Sequence, residues 1–305
     1  MLNQIITPPR AWTAESAGDQ HDWTIDLPGD LVADYAEGEA DELDASSGQI
    51  ARWRSLFEPA LDELNSGKGF VLLNRLPVES LTPAAARRVY WRVGQSLGDP
   101  IKQNSEGAVL YDVKDFGENI GKGARFSVTN AESSFHTDAP FAVSPPEFVG
   151  LLSLRSAMSG GESQLVSAYA LHNALSEETL EGLALLYQDF KFDRRGQFQP
   201  GEPELLVEPV FRWDGRELDT RYLHYYITQG HESSEPLTAS QTEALDRVID
   251  IVSRAEMRVE FSLRPGEMLF TNNHWILHNR TAFEDHHDPD LRRHYIRLWL
   301  RRKGN

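Results

Sequence analysis

Apolar positions recur at helical spacing in only a few windows of this chain; elsewhere they gather in short runs divided by turn residues. Between 50 and 65, Ile50, Trp53, Leu56, Phe57, Leu61 and Leu64 fall on one face of a helix. Gly67 and Gly69 end it, and Phe70-Val-Leu-Leu73 reads as a buried strand. Pro83 suits a first helical turn, so a helix is expected over 83–97, closed by Gly98-Asp99-Pro100. From 147 onward the pattern changes to short strands, at 147–154, 162–167, 189–194, 206–212, 217–222, 257–262, 267–272 and 294–301. Helices at 169–187 and 238–254 are inserted among them. Ahead of these strands, 101–134 holds no long helical pattern and is interrupted by Gly107, Gly117, Gly121 and Gly123, as in a lid over a site. Residues 1–48 are polar and acidic, with Trp12 and Trp23 as isolated anchors and Gly38-Glu-Ala-Asp-Glu-Leu-Asp44 as a solvated run. Many short strands with helices added to them predict an α+β, mainly β chain, with a jelly-roll or barrel core and helical decoration. Strands and helices do not alternate regularly, which disfavours a parallel α/β sheet.

Composition narrows the chemistry. The 305 residues read as one large domain, with a flank at 1–100, a candidate lid at 101–134 and a core at 135–302. Without cysteine, the chain has no disulfide, thiolate ligand or thiol nucleophile, so a metal would be held by His, Asp, Glu or backbone oxygen. Thirty Lys and Arg against 47 Asp and Glu give a net charge of −17. Such a surface repels phosphate backbones and anionic lipid, so neither nucleic acid nor membrane is an expected partner. The apolar stretch at 148–154 is far too short to span a bilayer. The first ten residues lack a basic and then apolar leader, so the expected location is cytoplasmic. A small-molecule substrate is the expected partner, and homo-oligomerisation stays open. No glycine-rich phosphate loop is present.

The informative segment is Ser133-Ser-Phe-His-Thr-Asp-Ala-Pro140. On extended backbone, His136 and Asp138 share a face, roughly 7 Å apart along the chain, and can converge on one ion. Imidazole and carboxylate with one further His make the facial triad of a non-haem iron(II) oxygenase, which leaves three metal positions open. The spacing alone is weak. Ten His and 47 acids would give His-x-acid once or twice by chance, and it occurs twice. The second copy, His286-His-Asp288, lies in a polar, proline-ended loop and reads as a solvated turn. For a third ligand the chain offers His274 and His278. Their i, i+4 spacing resembles half of a helical zinc-protease motif, but Trp275 stands where that motif needs Glu. An ordinary structural role suits His274 better.

Arg292-Arg293-His-Tyr-Ile-Arg297 follows. Arg293 and Arg297 are four residues apart and share a face in either a strand or a helix. Turned inward they need anionic partners, and a carboxylate can meet a guanidinium with two parallel hydrogen bonds. Turned outward they would mark a solvated edge strand.

Together these segments resemble the TauD/TfdA family, the taurine and 2,4-dichlorophenoxyacetate type of Fe(II)/2-oxoglutarate-dependent dioxygenases. The resemblance rests on Phe135-His-Thr-Asp138, Pro145-Pro146, Gly160-Gly-Glu-Ser163, Gly266-Glu-Met-Leu-Phe270, His278-Asn-Arg280 and Arg292-Arg293-x-x-x-Arg297, in the family's order over about 130–302. It implies a double-stranded β-helix and a hydroxylase that uses Fe(II), 2-oxoglutarate and O2. It also implies His136, Asp138 and His278 as iron ligands, and Arg293 as the grip on the distal carboxylate of 2-oxoglutarate. Ser163 stands in place of the family's usual threonine, and Arg297 matches an arginine near the cosubstrate or an anionic substrate group. Family halogenases lack the carboxylate ligand, so Asp138 favours hydroxylation or a related C–H oxidation.

The expected substrate is a small carboxylate, amino acid or natural-product intermediate. Tyr111 and Asn130 are the preferred substrate contacts, one in the lid and the other near the metal motif, ahead of Asn104, Arg125 and Glu132. A cupin-like metal-binding barrel would use the same three ligands without needing Arg293, so replacing Arg293 separates the two readings.

Overall fold

The core of the molecule is built on two β-sheets, and each face of the larger one has found a different partner. The computed structural model describes residues 1–39, 42–74, 76–104, 106–115, 129–198 and 201–303. The larger sheet runs in the order Thr24–Asp26, Phe70–Asn74, Met268–Asn272, Phe148–Arg155, His294–Arg301, with both Asp99–Ile101 and Leu110–Val113 pairing the last of these. All its pairings are antiparallel except that of the first two strands. The smaller sheet, Arg258–Phe261, Ser163–Ser167 and Ile276–Arg280, is antiparallel throughout. This is the jelly-roll arrangement, a mainly antiparallel β core with helices around it.

Period-two alternation assigns the faces. On one side of the large sheet, Val71, Leu73, Phe148, Leu152, Met268, Phe270, Ile296, Leu298 and Leu300 pack under three helices, Gly29–Ala36, Ser47–Asn65 and Pro83–Leu97. Gly94 permits the closest helix approach, since a Cβ there would lie 2.2 Å from Leu298 Cδ2. The other side carries Phe70, Leu72, Leu269 and Tyr295 and faces the small sheet, whose Leu165, Val166, Ile276 and Leu277 complete a second core. Helices Ala168–Glu178, Leu180–Leu186 and Ala239–Val252 close that core from outside.

Most expected elements are present within a residue or two. Thr82 caps the helix beginning at Pro83, and Thr238 caps the one beginning at Ala239. The expected helix over 169–187 is instead two helices. Thr179 leaves helical geometry between them and its side chain accepts from Gly182 N. The run at 206–212 likewise divides into Leu205–Pro209 and Phe211–Trp213.

The N-terminal residues differ most from expectation. Trp12 and Trp23 are core residues, edge-on to Phe70 at 5.3 and 5.2 Å. In the acidic run, Glu39, Glu42 and Asp44 are exposed, but the backbone around them is fastened: buried Arg88 donates to the carbonyls of Ala36, Glu39 and Glu42, and buried Arg92 to those of Tyr35, Glu37, Glu42 and Leu43. Helix His224–Glu232 had no clear sequence pattern; Gly230 lets it press onto Asp189–Asp193, where a Cβ would lie 2.2 Å from Lys191 O. Gly117, Gly121, Gly123 and Arg125 lie outside the described residues. No helix among the described residues is long and apolar enough to cross a membrane.

Candidate active site

A cavity of about 160 Å³ opens between the two sheets. Its walls take Val149, Leu151, Leu269, Thr271, Arg297 and Trp299 from the large sheet and Ser163, Leu165, His278, Asn279 and Arg280 from the small one. His136, Thr137 and Asp138 also belong to its lining.

His136 lies on extended backbone that forms isolated bridges to His278 and to Leu223 rather than a full strand. Its N–H donates to His278 O at 3.0 Å, and His278 N–H returns the bond to His136 O at 2.9 Å. The next residues are fixed just as closely. Thr137 N donates to Tyr222 O, while Asp138 N donates to Asn273 Oδ1 at 2.7 Å. Asn273 in turn donates to Asp138 O and Pro146 O, so one buried amide joins the motif to the loop after Met268–Asn272.

One atom each of His136, Asp138 and His278 lie within 4.8 Å of one another. Asp138 Oδ1 is 3.6 Å from His136 Nε2 and 3.7 Å from His278 Nε2. Asp138 Oδ2 turns away and accepts from Trp299 Nε1 at 2.6 Å, with Arg297 Nη1 at 3.2 Å. One carboxylate oxygen therefore faces the imidazoles while the other is held by Trp299, with Arg297 Nη1 reaching both oxygens, at 3.4 Å from Oδ1. His136 Nδ1 lies 2.7 Å from Ser134 O, a contact that places the ring proton on Nδ1 and leaves Nε2 as a lone-pair donor. Burial opposes charge on Asp138, but Arg297 and then the two imidazoles outweigh it and hold its carboxyl well below the usual range. Burial, then the neighbouring His136, push His278 downward toward the neutral form. Two imidazoles and one carboxylate are the donor set for Fe(II).

Arg297 is gripped on every side. Its Nε donates to Gln103 Oε1 at 2.8 Å, and its guanidinium lies over Trp299 and Tyr111 at 4.7 and 5.3 Å. Gln103 is buried and also donates to Arg297 O and Val109 O. Arg293 differs. It is 4% exposed and lines the cavity, yet its Nε and Nη1 have no hydrogen-bond partner among the described residues. A buried guanidinium with unsatisfied donors is costly unless an anion meets it, so this end of the cavity suits a carboxylate. Ser163 is also buried on the cavity wall.

The structure does not bring the two preferred substrate contacts to that wall. Asn130 is exposed, and its carbonyl accepts from Phe283 N. Tyr111 pairs with Arg297 across Leu110–Val113 and His294–Arg301, where its ring rests against that guanidinium. A place in the candidate lid, for Tyr111, and closeness in sequence to the metal motif, for Asn130, did not reveal whether either side chain reaches the cavity wall. His274 lies apart from the three, with Nδ1 2.6 Å from Asp219 Oδ1. Sequence reasoning missed Gln103, Asn273 and Trp299. Trp299 alone left a signal, two positions after Arg297 and so on the same face.

The family described as taurine catabolism dioxygenase TauD, TfdA matches residues 34–299. The chain is 29% identical over 315 residues to FR-33289 synthase of Streptomyces rubellomurinus, covering 98% of this chain and 91% of the relative. It is 27% identical over 260 residues to L-asparagine oxygenase of Streptomyces coelicolor, covering 77% and 72%. Among solved structures, asparagine oxygenase with Fe(II), 2S,3S-3-hydroxyasparagine and succinate is similar at a TM-score of 0.71 and 21% identity, covering 91% of this chain and 93% of that one. The non-heme iron oxygenase OrfP with Fe and alpha-ketoglutaric acid reaches 0.66 at 15% identity, covering 91% and 94%. These structures share the fold, and the family match supplies the chemistry: the chain belongs to the TauD/TfdA family and is an Fe(II)/2-oxoglutarate-dependent dioxygenase.

Proposed function

We propose that His136, Asp138 and His278 hold the iron, that Arg293 and Ser163 receive the distal carboxylate of 2-oxoglutarate, and that the enzyme hydroxylates a small polar molecule of amino-acid size. The observation carrying this reading is the convergence of the three ligand atoms at one end of a cavity whose wall also holds a buried, unsatisfied guanidinium. When bound, iron and cosubstrate supply the oxidation, in which O2 and 2-oxoglutarate become succinate, carbon dioxide and the hydroxyl oxygen of the product. The chain's part is positional. Trp299 and Arg297 fix the outer oxygen of Asp138, the bridge between His136 and His278 sets the imidazoles side by side, and Val149, Leu151, Leu165 and Leu269 keep water from the cosubstrate.

Substrate contacts are assigned to Phe141 and Tyr226 on the cavity wall instead of Tyr111 and Asn130. Phe141 and Tyr226 meet edge-on at 5.4 Å and offer an apolar side; Asn279 and Arg280 line a polar one. Asparagine oxygenase and OrfP, solved with hydroxylated asparagine and arginine, support a substrate of this size. The acidic, cysteine-free composition supports a cytoplasmic site of action.

The test is an anaerobic titration of metal-free protein with Fe(II) and 2-oxoglutarate, following the visible charge-transfer band of the chelate. Wild type is expected to show the band. His136→Ala should lose it, and Arg293→Ala should need at least tenfold more 2-oxoglutarate. Metal binding with no band at any 2-oxoglutarate concentration would overturn the assignment. Succinate release over a panel of amino acids and small carboxylates then identifies the substrate.

A further inference from the structure

Arg293 is held by contacts with aromatic faces. Its guanidinium carbon lies 3.7 Å from the centre of the Tyr295 ring and 5.2 Å from that of Phe283. The Phe283 ring also carries Arg280, at 4.7 Å. Tyr295, Arg293, Phe283 and Arg280 therefore form a run of alternating rings and guanidinium groups beside the cavity. Each member is anchored by something other than a ligand. Tyr295 Oη donates to Leu263 O at 3.0 Å, Arg293 N donates to Asp285 Oδ1 at 2.7 Å, and Arg280 donates to the carbonyls of Thr129 and Ala131. Phe283 is buried, with its N–H on Asn130 O. Gly161, at a φ of +78°, runs alongside: a Cβ there would sit 3.5 Å from Arg293 Nε and 3.4 Å from Phe283 Cβ.

An arginine side chain has many rotamers, and ordering it on binding costs affinity. Ring faces attract the cation without using its N–H groups, so they can hold the guanidinium while leaving its donors for a ligand. Ordinary hydrogen-bond partners at the same place would have competed with the anion.

We infer that Tyr295 and Phe283 are positioning residues for the cosubstrate, forming an aromatic slot that presents Arg293 to the distal carboxylate of 2-oxoglutarate. This deepens the reading of Arg293 as the cosubstrate anchor and rests on it. The slot acts only through that carboxylate, so its loss weakens 2-oxoglutarate but spares a 2-oxo acid that chelates through the same carboxylate and keto oxygen and ends in a methyl group.

The experiment measures dissociation constants for 2-oxoglutarate and 2-oxovalerate from the charge-transfer band of the anaerobic Fe(II) protein. The variants are Tyr295→Leu, Tyr295→Phe, Phe283→Leu and Arg293→Met. Tyr295→Leu should weaken 2-oxoglutarate about tenfold, the worth of a desolvated cation–π contact, and leave 2-oxovalerate within about twofold of wild type. Phe283→Leu should act in the same direction, and Tyr295→Phe, which keeps the ring, should restore near-normal 2-oxoglutarate binding. Circular dichroism and Fe(II) binding confirm that each variant is folded, and Phe283→Leu carries the test if Tyr295→Leu is not. The slot is overturned if Tyr295→Leu and Phe283→Leu match wild type, if they weaken both oxo acids equally, or if Tyr295→Phe is as weak as Tyr295→Leu. If Arg293→Met also leaves the preference for 2-oxoglutarate over 2-oxovalerate unchanged, the anchor reading itself fails.

Discussion

Trp299 is worth more at this site than its share of the cavity wall suggests. Its indole N–H is 2.6 Å from Asp138 Oδ2, the oxygen turned away from the two imidazoles. Removing that donor frees the carboxylate to rotate and leaves a buried oxygen with Arg297 alone behind it. Trp299→Phe should therefore weaken Fe(II) binding by about tenfold, within the range usual for groups that orient metal ligands. Anaerobic competition against a metal-binding dye measures this, and an unchanged affinity would show that Arg297 suffices. At this scale the sequence was legible where chemistry and spacing coincide. His136-Thr-Asp138 stood out by residue type, and Arg293 and Arg297 by cationic charge in an apolar strand. It was illegible where a role depends on a distant contact. Gln103 supports Arg297 from a loop far away in sequence, and nothing around it announces the pairing. Asn130 shows the reverse: the right residue type near the motif, but exposed and held by its carbonyl.

Between elements, a titratable group unconnected with the metal ties the helix Ala168–Glu178 to Tyr187 at the end of the helix Leu180–Leu186. His172 is fully buried; its Nε2 meets Tyr187 Oη at 2.9 Å and its Nδ1 has no partner among the described residues. Burial pushes its pKa down to about 4, below its ordinary value of 6.5. The unfolded chain then binds a proton that the folded chain refuses. Stability from this group is complete above pH 6.5 and is lost as the pH falls toward 4, on the order of 3 kcal/mol across that window. Urea unfolding at several pH values should show this fall, and His172→Gln should flatten it. Elements themselves were legible when amphipathic or strongly capped, as in Pro83–Leu97 and Ala239–Val252. His224–Glu232 was not, because its sequence is aromatic, β-branched and glycine-bearing; packing against Asp189–Asp193 outweighs weak intrinsic propensity there.

For the whole molecule, the division into two cores separates two tasks. The helix-covered face of the large sheet buries apolar surface, while the opposite face shares its core with the cavity that holds His136, Asp138, His278 and Arg293. Strand counting and the family resemblance anticipated this architecture, whereas the N-terminal residues were misread because their acidic side chains hid backbone fastened by Arg88 and Arg92. With iron and cosubstrate held between the two sheets as proposed, together they should raise the melting temperature under anaerobic conditions in proportion to the logarithm of their concentration. His136→Ala should abolish that rise, as thermal scans with and without Fe(II) would show.

The paired backbone hydrogen bonds between His136 and His278 carry a consequence for how the enzyme comes into being. The two imidazoles belong to distant parts of the chain, and their neighbourhood does not exist until the His136 segment has paired with the strand Ile276–Arg280. Contacts of such long range form late, because the loop between them must first be closed. A nascent or partly refolded chain therefore offers a metal at most the local His136 and Asp138 pair, without His278. The three-ligand site proposed for iron is complete only in chains whose His136 and His278 segments have already paired.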